Sequence, residues 1–208
     1  MLTTSYRRQR GLSLIELMIT ISLGLVLMAA LTSVFSNTLG VNSRSLDQSQ
    51  LHEEATAVMA LIVGDLRRAG YRGDAAEQIT DPTNASTAFD NSIVITNYSG
   101  EPANSCISFS FDENKNGVHD GASENFGYRL RDGQVQRRQS SASCTSSGWQ
   151  SLTSSTMLQV NGLTFTMTER MLNLINEQVI DVNLQVAVPS DASMTRELST
   201  RVVIRNAF

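Results

Sequence analysis

Glu16 is the single charged residue in the apolar run 12–35. It follows Arg7, Arg8, Arg10 and a Gly11-Leu12 junction in the stretch RRQRGLSLIELMITI. A carboxylate in a segment this apolar costs on the order of 2–3 kcal/mol at a bilayer midplane and less near the interface, so it calls for a cation. Cleavage between Gly11 and Leu12 would create one. The new α-amino group of Leu12 would lie one helical turn from Glu16 and could pair with it, or with Glu16 of a neighbouring helix.

A second group with chemical capacity is DENKNGVHDGASE, residues 112–124. Asp112, Asn114 and Asn116 alternate, Gly117 follows, and Asp120 takes the ninth place, which is the front half of a calcium loop: oxygen ligands two apart can wrap one ion while glycine allows the sharp turn. Val118 would add a backbone carbonyl. Ser123 stands where the twelfth-place glutamate belongs, and Glu124 comes one residue late. Two readings therefore stand side by side: a Ca2+ site built from Asp112, Asn114, Asn116, Val118, Asp120 and Glu124, and a plain turn between two strands. Cys106 and Cys144 are the only cysteines, and a disulfide is expected if this part of the chain reaches an oxidising compartment. With His52 and His119 they lack the spacing of a zinc site. Neither a Ser-His-Asp set nor a phosphate-cradling glycine loop can be assembled, and adjacent Glu53 and Glu54 point different ways on a helix, so no catalytic residue is expected.

These residues need elements to hold them. A chain of 208 residues, 41% hydrophobic, suits one moderate domain plus an anchor. A net charge of −4 and a pI near 5.2, with arginines scattered and Lys115 the one lysine, argue against a nucleic-acid partner. As a helix, residues 12–35 would span about 36 Å at 1.5 Å per residue, enough for a bilayer core of about 30 Å. Basic residues before the run and none after it until Arg44 put the N-terminus in the cytoplasm and export the rest. The run exceeds a secretory apolar region and no small-x-small site closes it, so a retained anchor is expected.

Beyond a polar stretch at 37–44, with Gly40 as a weak point, helical spacing resumes at Leu51, Ala55, Val58, Ile62, Leu66 and Ala69, and Gly70 is placed to end the helix. Such a stripe needs a sheet to cover it. Alternation and β-branched enrichment predict strands at 92–98, 106–111, 126–131, 157–169, 178–189 and 196–206, forming one antiparallel sheet, with 72–91 and 139–156 as surface loops. The fold class is α+β, divided into a leader (1–11), a transmembrane helix (12–35), an outer amphipathic helix (36–70) and a β-rich head (71–208).

RQRGLSLIELMITISLGLVLMAA resembles a type IV prepilin leader and anchor, with a basic leader ending in Gly11 and Glu16 fifth in the apolar helix. VMALIVGDLRRAGYRG (58–73), FDENKNGVHDG, FGYRLRDG and RVVIRN, in that order, are similar to the PilW-like minor type IV pilins. Leu12 stands where this family more often has phenylalanine, and no proline interrupts the anchor; both departures point away from a major subunit. The resemblance implies cleavage after Gly11 by a prepilin peptidase, N-methylation of Leu12, and Glu16 as an assembly salt bridge. It further implies an inner-membrane protein with a periplasmic head, which joins other minor and major pilins through its N-terminal helix and enters a pilus that serves twitching, adhesion or DNA uptake. A minor pseudopilin of a type II secretion system shares every N-terminal feature, and a stand-alone membrane-anchored calcium-binding or adhesive domain is the more distant rival.

Overall fold

The structure is a computed structural model that describes residues 11, 13–81, 87–138, 140–172 and 175–204. By internal contacts the chain divides into two units, residues 1–46 and 47–208. Helix α1, Leu14–Leu66, begins in the first and ends in the second.

In the first unit α1 carries its leucines, isoleucines and methionines outward; Leu14, Met18, Val26, Met28 and Phe35 are all exposed. The helix is long and apolar enough to cross a membrane. Its hydroxyls are handled as an apolar solvent requires: Thr20 donates to the Glu16 carbonyl at 2.9 Å, Ser22 to Met18 at 2.8 Å, and Thr32 to Met28 at 2.7 Å. These three side chains are satisfied one turn back along their own helix and are not left bare on an apolar surface. Gly40, expected as a weak point, lies inside uninterrupted helix. One glycine costs a helix about 1 kcal/mol, too little to break it when both flanks continue the pattern.

In the second unit the predicted stripe is the buried face: Leu51, Ala55, Val58, Ile62, Leu66 and Ala69, joined by Met59 and Val63. Gly70 follows at φ +73° and donates its N–H to the Ser110 carbonyl at 2.9 Å, closing the helix end onto a strand. A short helix α2, Ala75–Thr80, comes next.

Antiparallel strands follow, but in two sheets rather than one. The first has five strands in sequence order: β1 (Val94–Thr96), β2 (Cys106–Ser110), β3 (Asn125–Arg131), β4 (Gln134–Arg138) and β5 (Trp149–Ser151). The second is β6 (Gln159–Leu172), β7 (Ile175–Val188) and β8 (Asp191–Ile204). β3 turns into β4 through Asp132 and Gly133, both at positive φ, the pairing that an Asp-Gly hairpin uses. Phe109, Phe111, Phe126 and Tyr128 of the first sheet's region and Leu163, Phe165, Ile180, Leu184 and Val202 of the second bury with the α1 stripe in one core.

Two expected surface loops are partly structural. Segment 139–156 carries β5 and the buried Cys144, and segment 72–91 carries α2 with Arg72 and Phe89 both buried.

Candidate functional site

At the N-terminal junction, Gly11 is exposed, and a Cβ built on it would meet no atom within 4 Å. Among the described residues no packing contact therefore demands glycine there. Leu12 lies outside the described residues. Glu16 sits in the first turn of α1, and its Oε2 accepts the Ser13 backbone N–H at 3.1 Å. Ser13-Leu14-Ile15-Glu16 is a capping-box sequence, a signal legible in the chain but overshadowed by the membrane question. Glu16 thus has a local partner, and its remaining acceptor capacity faces outward.

The 112–124 loop brings all its predicted residues together and gives them distinct tasks. Asp112 is fully buried. Its Oδ1 accepts the N–H groups of Lys115 at 2.5 Å and Asn116 at 3.2 Å, and its Oδ2 those of Gly73 and Gly117, both at 2.8 Å. Burial pushes its carboxyl up, but these N–H bonds from Gly73, Gly117, Lys115 and Asn116 outweigh that and hold it below the usual carboxylate value. Glu124, also buried, accepts the N–H of Glu113 at 3.1 Å and of Asp120 at 2.8 Å. Asn114 and Asn116 both donate side-chain N–H to Asp120 Oδ2, at 2.5 and 2.8 Å, while Val118 donates its N–H to Asn116 Oδ1. Among the described residues no group of three or more His, Cys, Asp or Glu side chains is placed to hold a metal ion.

Sequence reasoning missed what this loop grips. A Cβ on Gly73 would lie 2.3 Å from the Lys115 carbonyl oxygen, and one on Gly117, at φ +76°, would lie 2.7 Å from Asp74 Cβ. The two backbones pack too closely for any side chain. Arg72, buried beside them, forks onto Asp74 at 2.7 and 3.1 Å. That hydrogen bond raises the Arg72 pKa and lowers that of Asp74. The segment just past α1 is therefore clamped to the β2–β3 connection.

Cys106 and Cys144 form the disulfide, enclosing a separation of 38 residues. Beside it Arg129 is buried, its Nη1 donating to the carbonyls of Cys144 at 2.6 Å and Ser146 at 3.0 Å, with its guanidinium 4.6 Å from the Trp149 ring centre. Burial, then the neighbouring Arg131 charge, draws the Arg129 pKa down. Reduction is expected to lower stability by about 4 kcal/mol on the chain-entropy account, read from denaturant melts with and without reductant. A loss below about 1 kcal/mol would show that the Arg129 bonds suffice to hold the loop.

An exposed apolar helix at the N-terminus, with a carboxylate in its first turn and antiparallel sheets following it, defines a pilin-like protein. The comparisons carry this further. Residues 6–32 match the prokaryotic N-terminal methylation motif, and residues 44–204 match the family described as prepilin peptidase-dependent protein B. That second match covers most of the chain, which belongs to this family. No curated protein and no solved structure matches it.

Proposed function

We propose that the protein is a PilW-like minor pilin, cut between Gly11 and Leu12, N-methylated at Leu12, and assembled with other pilins to initiate or cap a type IV pilus. In this reading it is a structural subunit and not an enzyme, held in the inner membrane with its N-terminus in the cytoplasm and its sheets in the periplasm until assembly. The observation that carries the reading is Glu16: a carboxylate on the otherwise uncharged, exposed stretch 14–35 of α1, one turn from the N-terminus that processing would create. A pseudopilin of a secretion system rests on the same feature, and the phenotype of a deletion, twitching and DNA uptake against enzyme secretion, separates the two.

The capping bond shapes the test. Glu16→Gln keeps an acceptor for the Ser13 N–H but removes the charge, whereas Glu16→Ala removes both. Both variants should insert in the membrane as well as wild type, since each makes the segment less polar. Both should lose piliation at native expression. If Glu16→Gln restored normal piliation while Glu16→Ala did not, helix capping would be the requirement and the proposed salt bridge would be wrong.

For the 112–124 loop we propose calcium as a guest rather than the organiser, because the backbone N–H groups on Asp112 and Glu124 already fix its path. Asn114, Asn116 and Asp120, at the exposed side of the loop, would be the first ligands.

A further inference from the structure

The second sheet has two edges, β6, whose Val160 and Phe165 N–H groups donate to the carbonyls of Gly133 and Asn104, and β8. The ladder partner of β8 is β7, and among the described residues nothing pairs with its other side. The first sheet ends differently, on β1 and β5, each only three residues long. Short edges are a common protection against unwanted pairing, as are prolines, lysines and bulges. β8 runs opposite β7 without a register break over residues 195–204, and that stretch contains neither proline nor lysine. Odd-numbered residues from Thr195 to Val203 are exposed, whereas Val202 and Ile204 are buried and Leu198 and Thr200 are half-buried. The edge is long and regular, with one polar face and one that is apolar from Leu198 to Ile204 apart from Thr200, Arg196 at its start being exposed.

The charges on that edge select a partner. Glu197 accepts from Asn183 at 2.5 Å, and Arg201 forks onto Asp181 through Nε and Nη2, at 2.8 and 3.0 Å. Arg201 remains 64% exposed, with Nη1 not engaged by Asp181. An antiparallel strand added here must keep odd residues opposite odd residues, or the apolar face would be turned to water. If the added strand is β8 of a second copy, few registers remain. Centring on Ser199 places Glu197 opposite Arg201 of the other copy, twice by symmetry, and Leu198 opposite Thr200. Centring on Glu197 or on Arg201 sets like charges against each other, and centring on Leu198 or Thr200 matches no charges at all. Among residues 195–204 only the Ser199 register sets opposite charges against each other without a like-charge pair.

We propose that β8 is a homotypic docking edge. Two copies pair antiparallel about Ser199 to continue the three-stranded sheet across a two-fold axis, and the polar face gains a row running Asn183, Glu197, Arg201, Asp181 in each direction. The interface is isologous, with each copy giving and receiving the same contacts. It does not depend on the filament reading.

The test uses the full-length chain in detergent micelles. Ser199→Cys puts two thiols opposite each other on the axis, within reach of a disulfide, and should give a covalent dimer under mild oxidation. Thr195→Cys, which faces Val203, should not. Glu197→Arg and Arg201→Glu each set like charges opposite one another and should weaken dimerisation, measured by sedimentation, by about tenfold. The double variant Glu197→Arg/Arg201→Glu should dimerise more tightly than either single variant, short of wild type because Glu at 201 also faces Asp181. Melting temperature identifies any variant whose fold has suffered, and the double variant and the cysteine pair still decide the matter. A chain that stays monomeric throughout the micromolar range, dimerises without regard to these charges, or cross-links through Ser199→Cys to a different protein would overturn the proposal.

Discussion

Gly11→Phe is expected to leave the leader attached to every molecule. Among the described residues no packing calls for glycine at this position, because a Cβ there would meet no atom within 4 Å. In a family described as prepilin peptidase-dependent, the expected requirement for Gly11 is the fit of the chain to that enzyme around the proposed scissile bond. A bulky residue would be excluded from that fit while leaving α1, which starts at Leu14, intact. Intact mass of the membrane-extracted protein decides it: wild type should begin at Leu12, and the variant should retain residues 1–11. The loss should extend to assembly, since without a free α-amino group at Leu12 the Glu16 carboxylate has no terminal cation within one turn. A mature chain beginning anywhere other than Leu12 would remove the basis of the minor-pilin proposal.

The parts of this molecule that could be read from sequence are those whose cause is local. The stripe from Leu51 to Ala69 repeats at helical spacing and is buried as that spacing requires, and Gly70 ends it in the left-handed conformation. β4 was not foreseen because QVQRR offers a single apolar residue, Val135, and pairs only by virtue of the Asp132-Gly133 turn beside it. β5 hides in a serine-rich stretch, held at Trp149 by a ring against Arg129 and an indole N–H on the Ser143 carbonyl at 3.0 Å. The division into two sheets was equally hidden. Strand content follows from alternation, but which strands pair is a long-range matter. The alternate acids and amides of 112–120 look the same whether they face an ion or their own backbone. What completes the ring of donors on Asp112 is Gly73, thirty-nine positions away, and no local pattern announces it.

Asp112→Ala should accordingly be the most destabilising single substitution in the head. It would leave three N–H donors, those of Gly73, Lys115 and Gly117, without their acceptor in a place where Asp112 itself has no exposure, while the Asn116 N–H keeps Asn114 Oδ1 at 3.0 Å. At about 1–1.5 kcal/mol for each orphaned donor the cost is about 3–4.5 kcal/mol, a large share of the stability of a domain. Asp112→Asn should cost about half as much, since its amide oxygen can serve two of the donors while its NH2 group confronts the other two. The pH dependence follows from the same bonds. The folded-state pKa of Asp112 lies below its unfolded value of about 3.9, so its contribution is fully present above that pH and fades as pH falls through the folded value. The gap between wild type and Asp112→Asn, read from denaturant melts followed by Trp149 fluorescence, should therefore be constant from neutral pH to about 5 and narrow as pH falls below the unfolded value of about 3.9. Repeating the wild-type melt in calcium and in chelator separates guest from organiser. A higher melting temperature in calcium adds an ion to the exposed side of the loop, and equal temperatures leave Asn114, Asn116 and Asp120 as an ordinary turn. Should Asp112→Ala melt within about 1 kcal/mol of wild type at pH 7, the clamp between the end of α1 and this loop would have to be credited to Gly73, Gly117 and the Arg72–Asp74 pair instead.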